Sequence, residues 1–319
     1  MPEEILFSVV IPFYNNHAIA PKCLPSVIEL IHKADSPVRE IIAVDDCSTD
    51  GTAEWIRQTF PDVDLLVNPR NLGFGASCLK GVERAKNPWV MLLNSDVKID
   101  LDVIPPLIDD INRHPELFAV GFASFNESGG KFEARKRIVA KTGLFKTRND
   151  FNAENAGTLY DSFYACGGHA LFNREKFLAL NGFSPVFAPF YWEDVDLSYR
   201  ARKRGWPVFF DPRCRVVHYH GSSIGSANSS RFIEIMQTRN KMLFFWKNVS
   251  SPGLWLRHLS GMTLRVLTSW IAGDIVFYRA LSGAVRRIKE VRSERGLEKK
   301  YWKKDDNDLF LTGKSTDNR

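Results

Sequence analysis

The feature that most constrains this chain is an alternation of short apolar strands with helical segments over the first 125 residues. The strands are rich in β-branched and aliphatic residues, and turn or capping residues separate them from the helices. This order predicts an α/β fold with a mostly parallel sheet flanked by helices on both faces. The predicted strands are 7–11, 40–44, 63–67, 89–93 and 117–122, and the predicted helices are 22–34, one ending at about 60, 73–86 and 105–113.

Polar clusters follow three of these strands directly. The carboxyl ends of strands in an open α/β sheet meet at one edge, where such folds bind their ligands. Three independent clusters at that edge therefore predict a ligand crevice. The clusters are Pro12-Phe13-Tyr14-Asn15, Asp45-Asp46 and Asn94-Ser95-Asp96.

Two of the clusters carry carboxylates. Asp45 and Asp46 can accept a hydrogen bond from a ribose hydroxyl or from the imide N–H of uracil or thymine, although a helix cap is an equal alternative. Asp96 can hold a divalent cation that bridges two phosphates, since Mg²⁺ and related ions choose oxygen ligands. The alternative for Asp96 is an N-cap.

A further carboxylate cluster lies at the start of a predicted helix ending at residue 203. Glu193, Asp194 and Asp196 suit a helix N-terminus, which favours negative charge. The functional alternative is a general base that removes a hydroxyl proton. Neighbouring aromatic rings, including Trp192, favour the second alternative, because they stack on sugars and desolvate a carboxylate.

Two groups of basic residues follow later. His218, or less favourably His220, lies after a predicted strand and is a candidate metal ligand. Arg239 and Lys241 lie on a predicted helix, where they either contact a diphosphate or face solvent.

Composition narrows the class of protein. The chain is 44% hydrophobic and 25% charged, which allows a large core. The five cysteines are scattered without a CxxC pair, so we expect reduced thiols in the cytoplasm. A signal peptide and a membrane-spanning run are not expected.

The C-terminal part differs in composition. Residues 252–304 contain 12 Lys or Arg against four Asp or Glu, with apolar residues at helical spacing. This pattern predicts basic amphipathic helices that either dock on a membrane or pack on the catalytic domain or another subunit. We expect the residues from Asp305 onward to be frayed.

Taken together, the motifs resemble family 2 of the inverting glycosyltransferases, which have the GT-A fold. The pattern is similar to the rhamnosyltransferase-like branch that builds bacterial surface polysaccharides. Asn94, Ser184 and Cys47 differ from the usual residues of that family. The motifs are VVIPFYN from Val9, VDDCSTDGT from Val44, NLGFG from Asn71, LLNSD from Leu92, GFS from Gly182, WEDVDL from Trp192 with Arg200, Gly205-Trp206, and His218 with Ser223.

The resemblance implies a role for each matching residue and a metal cofactor, Mn²⁺ or Mg²⁺. Asp194 is expected to be the catalytic base, and Asp96 and His218 the metal ligands. The remaining assignments are nucleotide contacts by Pro12, Tyr14, Asn15, Asp45, Asp46, Asn71 and Gly73, and acceptor contacts by Trp192, Glu193 and Gly168.

We therefore expect a UDP- or dTDP-sugar donor and a saccharide or lipid-linked acceptor at the inner face of the cytoplasmic membrane. The expected parts are a nucleotide-sugar half (1–125), an acceptor and catalytic half (126–250) and a helical extension (251–319), which is also a possible site of oligomerisation. Nucleic acid is not an expected partner. The alternatives are a sugar nucleotidyltransferase and a non-catalytic scaffold that binds nucleotide sugars.

Overall fold

The computed structural model describes residues 4–141, 143–150, 159–219 and 229–311. Within these ranges the strands follow the predicted alternation closely in the first 125 residues. The strands are β1 (Phe7–Phe13), β2 (Val38–Asp45), β3 (Asp64–Val67), β4 (Trp89–Leu93), β5 (Val97–Ile99), β6 (Ala119–Phe125), β7 (Lys131–Glu133), β8 (Arg135–Lys141), β9 (Leu144–Asp150), β10 (Tyr160–Asp161), β11 (His169–Asn173) and β12 (Val208–His218).

The helices divide into those that flank the sheet and those that follow it. The first group is α1 (Ala20–His32), α2 (Thr52–Thr59), α3 (Phe74–Arg84), α4 (Ile104–Arg113), α5 (Arg174–Ala179) and α6 (Glu193–Lys203). The second group is α7 (Ser230–Asn248), α8 (Pro252–Ile271), α9 (Ile275–Arg286), α10 (Ile288–Lys299) and α11 (Asp306–Leu311).

The central sheet has the order β10-β12-β6-β11-β4-β1-β2-β3. Strands β1, β2, β3 and β4 are parallel, whereas β11 runs antiparallel between β4 and β6. Helices cover both faces, so the strands are buried on both sides and form two apolar cores. The predicted fold class, a mostly parallel sheet with flanking and C-terminal helices, is confirmed.

One strand was predicted as two. The sequence predicted short strands at 208–210 and 215–218, whereas β12 continues through both. Its pairing with β6 shifts register between Asp211 and Arg215, around Pro212. A bulge accommodates a proline that regular pairing would exclude, and this explains why the strand continues.

Helix α6 is joined to the C-terminal helices by a buried ionic cluster around Asp196. The Asp196 carboxylate is fully buried and accepts from Arg200 Nε at 2.7 Å, Lys247 Nζ at 2.9 Å and Asn248 Nδ2 at 2.8 Å. Lys247 in turn pairs with Glu294 of α10 at 2.7 Å. These contacts make α7 and α10 part of the support for α6.

Residues 305–311 differ from the prediction that the chain is frayed from Asp305 onward, whereas 312–319 lie outside the described residues. Asp306, which begins α11, is 1% exposed and accepts from the Tyr199 hydroxyl at 2.5 Å. It also pairs with Lys203 and accepts from the backbone N–H groups of Ser250 and Ser251, both at 2.6 Å. The polar composition was misleading because these groups satisfy buried partners rather than water.

Among the described residues, no helix is both long and apolar enough to cross a bilayer. All five cysteines are free thiols.

Replacing Asp196 by Ala should lower the free energy of unfolding by about 3–5 kcal/mol, because Arg200 and Lys247 would remain buried without their carboxylate. Urea denaturation followed by circular dichroism measures the change. The exposed pair Arg57 and Glu54 provides the control, and Glu54→Ala should cost less than about 1 kcal/mol. Equal effects of the two substitutions would show that the cluster adds no stability.

Candidate active site

The three polar clusters meet at one edge of the sheet, as predicted, and side chains join them directly. The backbone N–H of Asn15 donates to Ser48 Oγ at 2.9 Å, and the N–H of Thr49 donates to Asn15 Oδ1 at 2.8 Å. Asn16 Nδ2 donates to Ser95 Oγ at 2.7 Å. The loops after β1, β2 and β4 therefore form one connected rim.

Asp45 and Asp46 have different roles in this rim. Asp46 Oδ1 accepts from the N–H of Leu72 at 2.8 Å, and its Oδ2 accepts from the N–H of Gly73 at 2.7 Å. Asp45 uses Oδ2 for the N–H of Ser48 at 2.9 Å, while its buried Oδ1 has no hydrogen-bond partner among the described residues. A buried acceptor without a partner is costly, so Asp45 Oδ1 is the atom best placed to receive a ligand donor.

The other predicted nucleotide contacts are exposed or half-buried. Tyr14 is 41% exposed at the end of β1, with half-buried Pro12 two residues before it. Asn71 is exposed, and Gly73 has a φ of +87° with no atom within 4 Å of the place a Cβ would occupy. Glycine is needed there for its backbone conformation, which leads into α3.

Asp96 and His218 are brought together by strand pairing. In the antiparallel β5–β12 ladder His218 lies opposite Val97, and this places its Nε2 3.0 Å from Asp96 Oδ1. Burial opposes protonation of His218, but the hydrogen bond and charge of Asp96 outweigh it and raise the pKa of His218. His220 and the Gly221–Ser223 segment lie outside the described residues.

This pair fits a divalent cation by its chemistry. A carboxylate oxygen and an imidazole nitrogen converge on one point at the edge where phosphates are expected. Imidazole is a better ligand for transition metals than for Mg²⁺, which prefers oxygen and water. The donor set therefore favours Mn²⁺ over Mg²⁺.

Asp194 lies in the first turn of α6, after two residues in a left-handed conformation. Tyr191 has a φ of +72° and Trp192 of +76°, which is strained for bulky side chains. Burial raises the pKa of Asp194 to about 6, although hydrogen bonds from backbone N–H groups, including that of Gly167, oppose the shift. Burial and the charge of Asp194 raise the pKa of Glu193 to about 8.

The strained turn is held by α7. Asn240, fully buried, donates through Nδ2 to the carbonyl oxygens of Phe187, Phe190 and Tyr191 at 2.7–2.9 Å. Arg239 is 7% exposed and donates to Asn240 Oδ1 at 2.9 Å. Both alternatives for Arg239, a diphosphate contact or a solvated cation, were wrong. Its side chain is buried and donates to Asn240 and to the Ala188 carbonyl.

The predicted acceptor residues occupy three different environments. Trp192 is 6% exposed and packs against Phe244 with ring centroids 5.2 Å apart, so its ring belongs to the core. Glu193 is half-buried, and its Oε2 has no hydrogen-bond partner among the described residues. The Gly168 carbonyl accepts from the N–H of Asn94 at 2.7 Å, and a Cβ at Gly168 would lie 2.4 Å from the Asn94 amide.

The 166–169 segment connects the two sides of the crevice. Gly167 bonds Asp194, Gly168 packs on the loop that contains Asp96, and His169 lies beside His218 with ring centroids 6.0 Å apart. Asp194 and the Asp96–His218 pair are therefore linked through one short segment.

Three charged or polar residues that the sequence did not indicate as site residues lie near His218: Glu133, Lys136 and His169. Glu133 Oε1 lies 3.1 Å from Lys136 Nζ, and Glu133 Oε2 lies 2.8 Å from Nε2 of the buried His169. Glu133, His169 and Cys166 also place potential ligand atoms within 4.8 Å of one another. We interpret the group as an ion-pair cluster, because the Lys136 ammonium already neutralises Glu133. Its one sequence signal was the histidine after Gly167-Gly168.

Comparison with known proteins was made against families, curated sequences and solved structures. The model of the family described as glycosyl transferase family 2 matches residues 8–180. An N-acetylglucosaminyl-diphospho-decaprenol L-rhamnosyltransferase of Mycobacterium tuberculosis is 29% identical over 215 residues, 60% of this chain and 69% of that enzyme.

Two further similarities cover less of the other protein. A poly-beta-1,6-N-acetyl-D-glucosamine synthase of Staphylococcus epidermidis is 34% identical over 271 residues, 77% of this chain and 58% of that enzyme. The crystal structure of GalNAc-T7 with UDP, GalNAc and Mn²⁺ superposes with a TM-score of 0.60 and 19% identity. That match covers 77% of this chain but only 48% of GalNAc-T7, and it shows likeness of fold.

The unpartnered oxygen of Asp45 leads to a binding prediction. Asp45→Ala should weaken binding of UDP or dTDP by at least about tenfold, since a hydrogen bond to a charged group contributes about 1.5–3 kcal/mol. Calorimetric titration of each nucleotide in the presence of Mn²⁺ measures the affinity. Asp62→Ala, an exposed aspartate in the turn before β3, is the matched control. Unchanged affinity in Asp45→Ala would remove Asp45 from the nucleotide site.

Proposed function

The chain belongs to glycosyl transferase family 2, and we propose that it transfers a sugar from UDP or dTDP to an acceptor hydroxyl, with inversion at the anomeric carbon. The acceptor is a saccharide or a lipid-linked saccharide in the synthesis of a cell-surface polysaccharide. The observation that carries the proposal is that the Asp194 carboxylate and the Asp96–His218 pair contact the same segment, 166–169, beside the strand-end rim that contains Asp45.

Asp194 has the properties of a general base. A base works best when its pKa lies near the working pH, and burial raises the pKa of Asp194 to about 6. It is therefore ionised at neutral pH but more basic than an exposed aspartate. Glu193, with a pKa raised to about 8, is mostly protonated at neutral pH and can donate a hydrogen bond to the acceptor.

The reaction is a single displacement. Asp194 removes the proton of the acceptor hydroxyl as its oxygen attacks the anomeric carbon from the face opposite the nucleotide. The new glycosidic bond forms while the bond from the anomeric carbon to the diphosphate oxygen breaks, and the electron pair leaves with the nucleoside diphosphate. Attack from the opposite face inverts the anomeric configuration.

Binding of the nucleotide sugar depends on the rim formed by the loops after β1, β2 and β4. Asp45 Oδ1 accepts from the nucleoside, and the exposed ring of Tyr14 offers a surface on which the base stacks. Asp46 acts on the nucleotide indirectly. Its two oxygens accept from the backbone N–H groups of Leu72 and Gly73, and this backbone borders the nucleotide pocket.

The proposed metal ligands are Asp96 and His218, with Mn²⁺ preferred over Mg²⁺. The bound cation would stabilise the negative charge that develops on the departing diphosphate. The fold is shared with a protein crystallised with UDP and Mn²⁺, which supports the same cofactor class here.

Lipid linkage of the acceptor is supported by the mycobacterial relative, whose name specifies a diphospho-decaprenol acceptor and a rhamnosyl group. The nucleotidyltransferase alternative lacks support, since the loop after β1 is clamped to Ser48 and Thr49 and contains no glycine-rich phosphate loop. The scaffold alternative would be supported if the wild-type protein failed to cleave or transfer any nucleotide sugar with Mn²⁺.

Asp194→Asn should reduce kcat by roughly 10²–10⁴-fold and leave the donor dissociation constant within about twofold, because the amide cannot take up the proton. Glu193→Gln is the matched control on the adjacent residue. It should lower kcat far less, because a glutamine resembles the protonated glutamic acid already present at neutral pH. Turnover with a lipid-linked acceptor and calorimetry with the donor give the two quantities.

Three results would contradict this assignment. Loss of donor binding in Asp194→Asn would place that residue in the nucleotide site. An equal loss of turnover in Glu193→Gln would transfer the role of base to Glu193. A product with retained anomeric configuration would exclude the single displacement.

Lys136 should set the pH range of the reaction. Its positive charge lowers the pKa of Asp194 against the effect of burial. Lys136→Met should therefore raise that pKa and move the acid limb of the kcat/KM profile to higher pH, so that activity at pH 6 falls more than activity at pH 8. Lys146→Met, on the exposed side of β9, is the control and should leave the profile unchanged.

A further inference from the structure

Helix α8 has two faces of opposite character. Only His258 and Ser269 of its 20 residues are buried, whereas ten of the 19 residues of α7 are buried. Helix α8 therefore lies on the protein surface, attached along one narrow side.

The side of α8 that faces away from the protein is a mostly apolar stripe, which also includes the exposed Ser260 and Thr263. At about 100° per residue its members lie within an arc of about 140°, opposite His258 and Ser269. Single exposed apolar residues are ordinary on protein surfaces, but a contiguous patch marks an interaction site. The apolar members of the outward stripe, as we name it, are Leu256 (71% exposed), Leu259 (57%), Leu264 (58%), Leu267 (59%), Trp270 (78%) and Ile271 (85%).

Two apolar grooves border the same helix. One has a volume of about 370 Å³, and Leu259 and Leu267 of the outward stripe contribute to its lining together with Trp246 and Met262. The other has a volume of about 410 Å³, and Leu264 contributes to its lining. Both volumes are large enough for part of a hydrocarbon chain.

The charge beside the outward stripe is positive. Helix α8 contains no carboxylate, and its Arg257 is exposed next to the stripe, whereas Arg265 lies on the side of His258 and pairs with Asp274 at 3.2 Å. Two carboxylates of α10 are directed toward the protein, since Glu294 pairs with Lys247 at 2.7 Å and Glu298 with Arg204 at 2.9 Å. The outward stripe is therefore mostly apolar, with a basic residue at its edge.

We propose that the outward stripe docks on the surface of an anionic lipid bilayer, with α8 lying in the plane of the interface. An apolar helix face in a part of the chain that has 12 Lys or Arg against four Asp or Glu matches the boundary between acyl chains and anionic headgroups. Acyl chains fill the two grooves, and Arg257 contacts the headgroups. This docking goes beyond the proposed reaction and does not depend on it.

The docked face is connected to the crevice through packed elements. His258 Nδ1 lies 2.5 Å from the Gly143 carbonyl at the turn of the β8–β9 hairpin, and Trp246 Nε1 donates to His258 Nε2 at 2.9 Å. The same hairpin contains Lys136, which pairs with Glu133 beside His169. Helices α10 and α11 contact α6 instead, since Glu298 pairs with Arg204 and Asp306 accepts from the Tyr199 hydroxyl.

Co-sedimentation of the full chain with vesicles, without donor or acceptor, tests the proposal. The wild type should bind vesicles of phosphatidylglycerol and phosphatidylcholine, and bind pure phosphatidylcholine much less. The double variant Trp270→Glu with Ile271→Glu should bind anionic vesicles at least about tenfold more weakly. Binding should also weaken when NaCl is raised from about 0.1 M to about 0.5 M.

Leu297→Glu is the matched control, because Leu297 is 62% exposed on α10, outside the outward stripe, and should not affect binding. Circular dichroism and the thermal shift on adding UDP or dTDP with Mn²⁺ check that each variant is folded. Failure of the wild type to bind anionic vesicles, or full binding by the folded double variant, would overturn the proposal. A concentration-dependent dimer that the double variant dissociates, without vesicle binding, would assign the stripe to a second copy of the chain.

Discussion

One buried carboxylate supports the geometry on which the active site depends. Asp196 lies inside the protein, where an unpaired charge would be prohibitive, and Arg200 and Lys247 compensate it. Because Arg200 belongs to α6 and Lys247 to α7, the cluster joins these helices and fixes the first turn of α6. Asp194 lies in that turn, two residues from Asp196. Helices α7 and α10 are therefore joined directly to α6 through this cluster.

Three carboxylates of one helical turn acquire three different ionisation behaviours from their surroundings. All are withdrawn from water, which favours the neutral acid. For Asp196, burial is outweighed by Arg200 and Lys247, so its pKa is lowered. Asp194 has backbone donors and the charge of Lys136, and its pKa rises only to about 6, while at Glu193 the negative charge of Asp194 adds to burial and the pKa rises to about 8. The local charges therefore separate the pKa values of these three carboxylates.

The first 125 residues and the strand-end clusters were predictable because their signals are local. A buried strand, a turn and a helix lie within about 30 residues, and the parallel arrangement brings every strand end to one edge. The loops at Asn15, Asp45 and Asp96 were located in this way, and so was Asp194 by its motif. The exposed helix α8 was also predictable, since the spacing of apolar residues and the basic composition indicate an amphipathic helix.

Only the tertiary structure decided which residues that are distant in sequence contact one another. The pairing of Glu133 with His169, the burial of Arg239 and the burial of Asp306 all follow from contacts between residues more than 30 positions apart. Asp45 and Asp46 also differ because of contacts that are distant in sequence, since both oxygens of Asp46 accept from the N–H groups of Leu72 and Gly73. The sequence by itself determined which chemical groups reach the crevice. Folding decided which of them remain available to a ligand, because a polar atom that is satisfied inside the protein is no longer available for binding.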